Sequence, residues 1–198
     1  MTKTSKSHGD EIWVNAFTEE AAQEFREHVL EHAKSDPTKP IIVYIDSFGG
    51  HVDALAKMIE TLDEVPNLIV TVCMGKAMSA GAVLLSHGDA RFIGKNSRVM
   101  VHEISSGTHG DVHDVYADAV AVKRLNERFM GLMAKNCGLK GGYKALRKRI
   151  KSQDGRDNYM DAKEAVKFGI VDGIGIPRLI TDTSHKLIVV PEKRRKLK

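Results

Sequence analysis

The chain has 198 residues, of which 42% are hydrophobic and 28% charged, a balance typical of a globular protein rather than a disordered or fibrous one. This length suits one well-cored domain and is short for two, so we expect a single domain over residues 1–198. No run approaches the roughly 20 apolar residues of a membrane span, and residues 1–10 are polar, unlike a secretory signal. The sequence therefore predicts a cytoplasmic protein with no membrane partner.

The charge is close to balanced once the basic tail is set aside. The formal net charge is +4, from 30 basic and 26 acidic residues, and much of the excess lies at residues 144–151 and in the tail, residues 191–198. A basic tail can bind nucleic acid, but no aromatic residues are interleaved with it to stack on bases. We therefore expect a solvated tail and no nucleic-acid partner.

The two cysteines, Cys73 and Cys137, could in principle form a disulfide or bind a metal. Cys73 lies in an apolar run, where a thiol usually acts as a small buried side chain. Neither cysteine has a second one at metal-ligand spacing, and a cytosolic protein with a sizeable core does not need a disulfide. We expect free thiols and no metal site.

The first half of the chain alternates short apolar runs with segments of helical periodicity. Thr18 is the predicted N-cap of a first helix that ends before Pro37, because two glutamates follow it where the helix dipole favours negative charge. Apolar runs separated by helices are typical of parallel strands joined by right-handed crossovers. The further elements expected here are strands at 11–15, 41–45 and 68–74 and a helix at 52–65.

The second half is richer in helices. Residues 46–50 and 75–78 are predicted turns, and the second of them leads into a helix of small residues that begins near Ser79. Beyond it we expect strands at 98–102 and 187–190, and helices at 112–136, 143–151 and 161–168, the first and last of them ended by Gly138 and Gly169. The predicted fold class is α/β.

Ser79 is the first residue with catalytic potential. It stands at a predicted strand-to-helix junction in MGKAMSAGAVLLS, where small neighbours leave room for a substrate. The amides at the start of the following helix could stabilise a developing oxyanion. The alternative is that Ser79 only caps this helix, which is the commonest role of serine at such a position.

Two further segments carry candidate residues. Gly49 and Gly50 follow a buried strand in DSFGG, where a double glycine lets the backbone turn sharply beside a ligand. An ordinary strand-to-helix loop would contain the same pair. His102 ends the apolar strand in NSRVMVH, and it is either a satisfied core histidine or a general base, since histidine exchanges its proton near neutral pH.

The order and spacing of DSFGG, CMGKAMSAGA and NSRVMVHE closely resemble the Clp protease proteolytic subunit, over about residues 12–174. In that family an S-P-G-G turn, an M-G-x-A-x-S-x-G-A helix and an N-S-R-V-M-x-H strand occur in this order. The resemblance implies a crotonase-like fold of repeated β-β-α units. It also implies a serine endopeptidase, with Ser79 as nucleophile and His102 as general base, that needs no cofactor.

The same resemblance supplies a third catalytic residue. The segment GRDNYMDAKEA resembles the family's R-D-x-x-x-x-A-x-E-A pattern and aligns Asp157 with the acid that orients the histidine. Asp154 and Asp161 lie close by and Asp172 follows. Asp161 is better placed than Asp157 to cap the next helix, and an insertion at residues 140–153 precedes the acid.

The resemblance also implies where a substrate binds. The amides of Gly50 and Ala80 correspond to the oxyanion hole. An extended peptide would lie between Gly49–Gly50 and the segment after His102, and would pair with it by strand addition. Such pairing implies loose sequence preference.

Two substitutions and one length difference separate the chain from the family pattern. Phe48 replaces the usual proline, and Lys76 stands where glutamine is common, which raises the alternative of a Ser-Lys dyad. About ten residues precede the first predicted strand, so the segment that contacts an unfolding ATPase in the family is expected to be absent or reduced. An AAA+ partner is therefore left open, and a shortened peptidase or a viral head-maturation relative is an alternative.

The resemblance implies assembly as well: stacked seven-membered rings whose active sites face an inner chamber. The helix at 112–136 would be the handle between rings. Its apolar positions could instead be buried within the monomer; these are Val115, Val122, Leu125, Phe129 and Leu132.

Two other functions share the implied fold. A crotonase-type acyl-CoA enzyme would use paired carboxylates as acid and base, and the candidates, Asp46 and Glu103, form no obvious pair in the sequence. A catalytically silent, ring-forming relative would lack the serine or the histidine, and both are present. The site residues therefore favour the peptidase.

Overall fold

The computed structural model describes residues 11–151, 157–179 and 187–188. The polar segment 1–10, the basic tail 191–198 and Asp154 lie outside the described residues. The strands are β1 (Ile12–Val14), β2 (Ile41–Ser47), β3 (Ile69–Met78), β4 (Ala90–Ile93), β5 (Arg98–His102), β6 (Asp157–Met160), β7 (Gly173–Ile174), β8 (Arg178–Leu179) and β9 (Leu187–Ile188). The helices are α1 (Glu19–Ser35), α2 (Val52–Glu64), α3 (Ala80–Leu85), α4 (Val112–Asn136), α5 (Gly142–Lys151) and α6 (Ala162–Phe168).

The main sheet has seven strands and is mostly parallel. Its path is β1-β2-β3-β4-β7, and every pair along it is parallel. Strand β5 leaves this path by pairing in parallel with the end of β3, and β6 pairs with β5 in the antiparallel sense. The prediction of an α/β fold with parallel strands is confirmed, while β8 and β9 form a separate two-stranded sheet.

The two faces of the sheet carry apolar clusters of different size. Alternate residues of a strand point to opposite faces, so in β2 Val43 and Ile45 join the main core with the helices, while Ile42 and Tyr44 join a small cluster on the other face. Trp13 stacks on Tyr44 there, with ring centroids 4.9 Å apart. Most of the burial that stabilises the fold therefore lies on the helix side.

Strand β3 is longer than predicted, and the expected turn at residues 75–78 is wrong. Its first part, Val70–Cys73, pairs with β4, and its last part, Lys76–Met78, pairs with β5. Gly75 lies between the two parts with a φ of 103°, a conformation that favours glycine. The glycine thus bends a continuous strand from one neighbour to another instead of ending it. Strands β4, β6 and β7 were not predicted.

Helix α4 has the predicted bounds, and its two halves differ in burial. The C-terminal half packs into the main core through Phe129, Met130 and Met133. The N-terminal half is exposed, with Val112 and Tyr116 at 82% and 72% exposure. Of the apolar positions considered for burial, Phe129 is buried and Val115 is exposed, and the role of α4 as a handle between rings stays a prediction. In the described residues, no helix is both long and apolar enough to cross a membrane.

Candidate active site

Ser79 lies at the junction of β3 and α3, in an unusual backbone conformation. Its φ is 54° and its ψ is −118°, and among the described residues it is the one non-glycine residue with a positive φ. Such a conformation costs free energy and persists where the surroundings enforce it. Here the amide of Ser79 donates to the carbonyl of Met100 in β5 at 2.9 Å. The side chain makes no capping hydrogen bond to α3, so the alternative of a simple N-cap is wrong.

His102 is the last residue of β5 and faces Ser79. Its Nε2 lies 2.7 Å from Ser79 Oγ, a hydrogen-bond distance. The parallel pairing of β3 with β5, in which Met78 is the partner of Met100, brings the ends of the two strands side by side. The sheet therefore places a hydroxyl and an imidazole in contact, as acyl transfer by serine requires.

Asp157 is the first residue of β6 and lies directly opposite His102 in the antiparallel pair. Directly opposed residues point to the same face with their Cβ atoms a few ångströms apart. Asp157 Oδ1 lies 3.7 Å from His102 Nδ1, within range of electrostatic pairing but longer than a hydrogen bond. The carboxylate is 44% exposed and the imidazole 22%.

The neighbouring acids have other partners. Asp161 is the N-cap of α6, and it forms a capping box with Glu164, as the sequence predicted for a capping acid. Asp172 pairs with the guanidinium of Arg91. Among the described aspartates of this region, Asp157 is therefore the one that faces the histidine.

Gly49 lies against Met78 and Ser79, and Gly50 lies against Phe17, which precedes the N-cap of α1. The φ values of the two glycines are 99° and 153°. A Cβ added at Gly49 would lie 2.8 Å from both the carbonyl oxygen of Met78 and Cβ of Ser79, and one at Gly50 would lie 2.6 Å from the carbonyl oxygen of Phe17. No side chain fits in either place, so the backbone itself forms this edge of the site.

Ala80 begins α3 immediately after the nucleophile. The first amides of a helix have no acceptor within the helix and carry partial positive charge. Ala80 and the exposed Gly50 line the same pocket as Ser79. This arrangement can stabilise negative charge that develops beside Ser79 Oγ.

A small pocket of about 80 Å³, with both polar and apolar walls, opens beside the Ser79–His102 pair. Its apolar walls come from α2, α3, α4 and the segment that follows His102, and they are formed by Val52, Leu55, Val83, Ile104, Phe129 and Met130. The apolar walls thus lie next to the serine hydroxyl in the same pocket.

Lys76 does not act on Ser79 as a base in this arrangement. Its Nζ lies 2.7 Å from Asp46 Oδ1 and 4.5 Å from the centroid of the Phe48 ring. The ammonium therefore contacts a carboxylate and an aromatic face, and neither of these contacts involves Ser79. The two residues that depart from the family pattern thus contact each other rather than the nucleophile.

The two carboxylates considered for an acyl-CoA enzyme are also engaged elsewhere. Asp46 binds Lys76, while Glu103 accepts a hydrogen bond from Tyr143 and pairs with Arg147. Neither of them lines the pocket beside Ser79. The structure therefore offers no carboxylate pair for that chemistry among its described residues.

One group of polar residues near the site was not predicted from the sequence. Asn126, on the largely apolar side of α4, contacts the segment after His102 together with Glu103 and Tyr143. Its side chain is buried although its neighbours along that helical face, Phe129 and Met130, are apolar. A polar residue at a core-facing helical position was the signal that could have identified it.

Both cysteines are free, as expected. Burial raises the pKa of Cys73 to about 12, with a further increase from the charge of Asp46. Burial also raises the pKa of Cys137, to about 11. Both thiols are therefore protonated near neutral pH, and neither competes with Ser79 as a nucleophile.

Comparison with known families gives an independent finding. The sequence model described as Clp protease matches residues 12–178 of the chain. This match covers most of the chain, from β1 to the start of β8, and it includes Ser79, His102 and Asp157.

Proposed function

The chain belongs to the Clp protease family, and we propose that it is a serine endopeptidase that cleaves peptides or unfolded polypeptides with Ser79, His102 and Asp157. The observation that carries this proposal is the 2.7 Å contact between Ser79 Oγ and His102 Nε2 in the wall of a small pocket. Membership in a family of serine peptidases supplies the reaction class, and the contact supplies the residues.

In the proposed reaction Ser79 Oγ attacks the carbonyl carbon of the scissile peptide bond while His102 Nε2 accepts the hydroxyl proton. The new C–O bond leaves negative charge on the carbonyl oxygen, which the amides of Gly50 and Ala80 stabilise. When the C–N bond breaks, His102 gives its proton to the leaving amine. Water, deprotonated by His102, then hydrolyses the acyl ester and restores Ser79.

Asp157 is proposed to orient His102 and to stabilise the imidazolium that forms. The distance of 3.7 Å between His102 Nδ1 and Asp157 Oδ1 must shorten by roughly 0.7 Å to become a hydrogen bond. Catalytic hydrogen bonds that are long in a free enzyme commonly tighten when substrate binds. The direct opposition of the two residues in β5 and β6 supports this closing movement.

The proposed substrate is an extended chain with an apolar side chain next to the cleaved bond. Aliphatic and aromatic side chains, among them Leu55 and Phe129, form the apolar walls of the pocket beside Ser79, which supports the apolar preference. The backbone of Gly49–Gly50 on one side and the segment after His102 on the other leave a channel in which a peptide backbone can pair as an added strand. Because backbone pairing is independent of sequence, the remaining preference is loose.

We further propose that the chain assembles into stacked heptameric rings, in a crotonase-like arrangement of β-β-α units with α4 as a handle. The exposed apolar side chains of Val112, Val115 and Tyr116 on the free half of α4 support a contact with another subunit. An AAA+ unfoldase and a capsid-maturation role remain alternative settings for the same ring. The free thiols of Cys73 and Cys137 support a reducing compartment such as the cytoplasm.

The test is labelling of the purified protein with a small fluorophosphonate, followed by intact mass and peptide mapping. We expect a single adduct on Ser79 that is lost in Ser79→Ala and in His102→Ala. Peptide hydrolysis by Ser79→Ala should fall about 10⁴-fold or more, since removal of the nucleophile removes the covalent pathway.

The fold provides the control for that experiment. Ser79→Ala removes one hydroxyl and should leave the far-ultraviolet circular dichroism and the oligomeric state unchanged. Full peptide hydrolysis by this variant, or no adduct on the assembled wild-type protein, would show that the proposed nucleophile is wrong.

A further inference from the structure

We propose that Asn126, Tyr143 and Glu103 are positioning residues that hold the segment after His102 as a wall of the substrate pocket. They thereby couple the α4–α5 pair to peptide binding. This inference rests on the proposed peptidase function and goes beyond it, because none of the three residues touches Ser79, His102 or Asp157 in the proposed chemistry.

The segment concerned has no strand partner to hold it. Strand β5 ends at His102, and residues 103–109 have neither helical nor strand structure. Ile104 and Ser105 nevertheless line the pocket beside Ser79. The same two residues also line a larger groove of about 590 Å³ between this segment, α4 and α5. Ile104 and Ser105 thus separate the pocket beside Ser79 from the larger groove.

Side chains from the two helices supply the missing support. Asn126 Oδ1 accepts a hydrogen bond from the Ile104 amide at 2.9 Å. Asn126 Nδ2 donates to Tyr143 Oη at 3.0 Å and to Glu103 Oε1 at 3.2 Å, and the Tyr143 hydroxyl donates to the same Glu103 oxygen at 2.7 Å. Arg147 Nε lies 3.2 Å from that oxygen. One carboxylate oxygen therefore joins the segment to both helices.

The network is suited to hold at the pH at which a peptidase works. Burial raises the pKa of Glu103, but the hydrogen bonds from Tyr143 and Asn126 and the charge of Arg147 outweigh it, so the pKa lies below its usual value. The carboxylate is consequently ionised at neutral pH, and hydrogen bonds to a charged acceptor are the stronger kind. Asn126 is 8% exposed, so little water is available to replace its partners.

Ser79 and His102 are held by contacts outside this network. Changes to the network should therefore affect the pocket wall more than the Ser79–His102 contact. His102 is held by pairing of β5 with β3 and β6, and Ser79 by its hydrogen bond to Met100. Loosening the network should therefore release the pocket wall without moving the imidazole from the hydroxyl. A change in peptide binding with little change in serine reactivity is the signature of this role.

The experiment compares Tyr143→Phe and Asn126→Leu with wild type on the full chain, after sedimentation has shown equal assembly. Hydrolysis of a blocked peptidyl-coumarin amide with an apolar residue before the bond gives KM and kcat, and a small fluorophosphonate without a peptide gives the labelling rate of Ser79. For Tyr143→Phe we expect KM to rise about five- to tenfold, since one hydrogen bond to a charged group is lost. We expect kcat and the labelling rate to change by less than about threefold.

Asn126→Leu should raise KM further, because it removes the acceptor of the Ile104 amide and two donors at once. The matched control is Tyr44→Phe, the same chemical change in the small cluster on the far face of the sheet, and it should leave both constants unchanged. If Asn126→Leu fails to fold, Tyr143→Phe still tests the inference, because it removes only one oxygen atom.

The outcomes separate this inference from the proposed function. An unchanged KM in Tyr143→Phe overturns the positioning role, and so does a fall in kcat and labelling rate with KM constant. If wild-type Ser79 does not react with the fluorophosphonate, the proposed function fails instead. That result is independent of any effect of Tyr143.

Discussion

The two ring nitrogens of His102 meet their partners in very different surroundings. On one side, Nε2 lies 2.7 Å from Ser79 Oγ, between strands that belong to the buried part of the sheet. On the other side, Nδ1 lies 3.7 Å from Asp157, whose strand β6 pairs with β5 alone in the described sheet. The strands that hold Ser79 and His102 (the nucleophile half of the site) belong to the packed core. The position of Asp157 depends on one antiparallel pairing at the edge of the sheet.

The difference indicates which half of the site can adjust. Met78, which precedes Ser79, and Met100, two residues before His102, are both buried, and tightly packed interiors yield little. Asp157 is nearly half exposed and begins its strand. We therefore expect the approach of Asp157 to His102 to be the step that substrate binding or assembly completes. Four measurements test this comparison.

The largest effect is expected for Asp157→Asn. If Asp157 closes on His102 during the reaction, an amide in its place favours the wrong tautomer, and kcat should fall about a thousandfold or more. The measurement is kcat for peptide hydrolysis, with Asp172→Asn as the matched control. Asp172 pairs with Arg91, so its variant should lose some thermal stability and keep kcat. A loss of less than about tenfold for Asp157→Asn would mean that the open distance persists in the working enzyme.

A smaller effect is expected for Gly49→Ala, which tests how closely the nucleophile half is packed. The added Cβ would lie 2.8 Å from Ser79 Cβ and from the Met78 carbonyl, in a backbone conformation that side chains rarely adopt. A displacement of about 1 Å at a nucleophile can lower the rate about a hundredfold, and we expect a loss of that order in kcat and in the labelling rate.

The control for that variant is Gly131→Ala, in α4, where an added Cβ meets nothing within 4 Å. Alanine in a helix interior is favoured over glycine by up to about 1 kcal/mol, so this variant should retain activity and unfold at a slightly higher temperature. Full activity of Gly49→Ala would contradict a closely packed nucleophile half.

The third prediction concerns the buried part of β3 that precedes Ser79 in the chain, through the pH dependence of stability. Burial, and next the charge of Asp46, raise the pKa of Cys73 from 9.0 to about 12. Between these values the folded protein keeps a proton that the unfolded chain loses, so the free energy of unfolding falls as the pH rises through this window. Cys73 should contribute a slope of up to about 1.4 kcal/mol per pH unit.

Urea unfolding at pH 8 and pH 10 of wild type and Cys73→Ala measures that contribution. The loss of stability between the two pH values should be smaller in the variant. If wild type and Cys73→Ala lost equal stability, water would reach Cys73 in β3. The argument that the Ser79–His102 contact is more deeply buried than Asp157 would then be weaker.

The smallest effect is expected for Lys76→Met. Its ammonium pairs with Asp46, a partly exposed contact of modest energy, and the methionine keeps the aliphatic stem beside Phe48. We expect kcat for peptide hydrolysis to change by less than about threefold. If Lys76→Met lost as much activity as His102→Ala, Lys76 would be the base, and the contact between Ser79 and His102 would need another explanation.

Much of the fold followed from local pattern, and the failures have a common cause. Helix α4 was predicted with its observed bounds, and Thr18 and Asp161 cap α1 and α6 as expected. Caps and helical periodicity depend on residues within one or two turns, so a sequence displays them directly. The turn predicted at residues 75–78 was wrong because glycine is common in turns, whereas Gly75 bends a strand that continues to Met78.

The candidate site divides in the same way. Ser79, His102 and the double glycine stand at the ends of predicted elements, and motif order was sufficient to propose them together. Asp157 came only from resemblance, because its strand is four residues long and carries no alternating pattern strong enough to predict it. The network of Asn126 with Glu103 and Tyr143 was not found, since its members come from three separate segments.

By itself, the sequence determined the class of the fold and the ends of its long helices, and it led to the hypothesis that Ser79 and His102 act together. Only the tertiary structure decided that β5 leaves β4 to pair with the end of β3, which brings Ser79 to His102. It also decided that β6 returns antiparallel in a register that sets Asp157 opposite His102. The physical reason is that capping and periodicity are local, whereas strand register is chosen by packing among segments far apart in the chain.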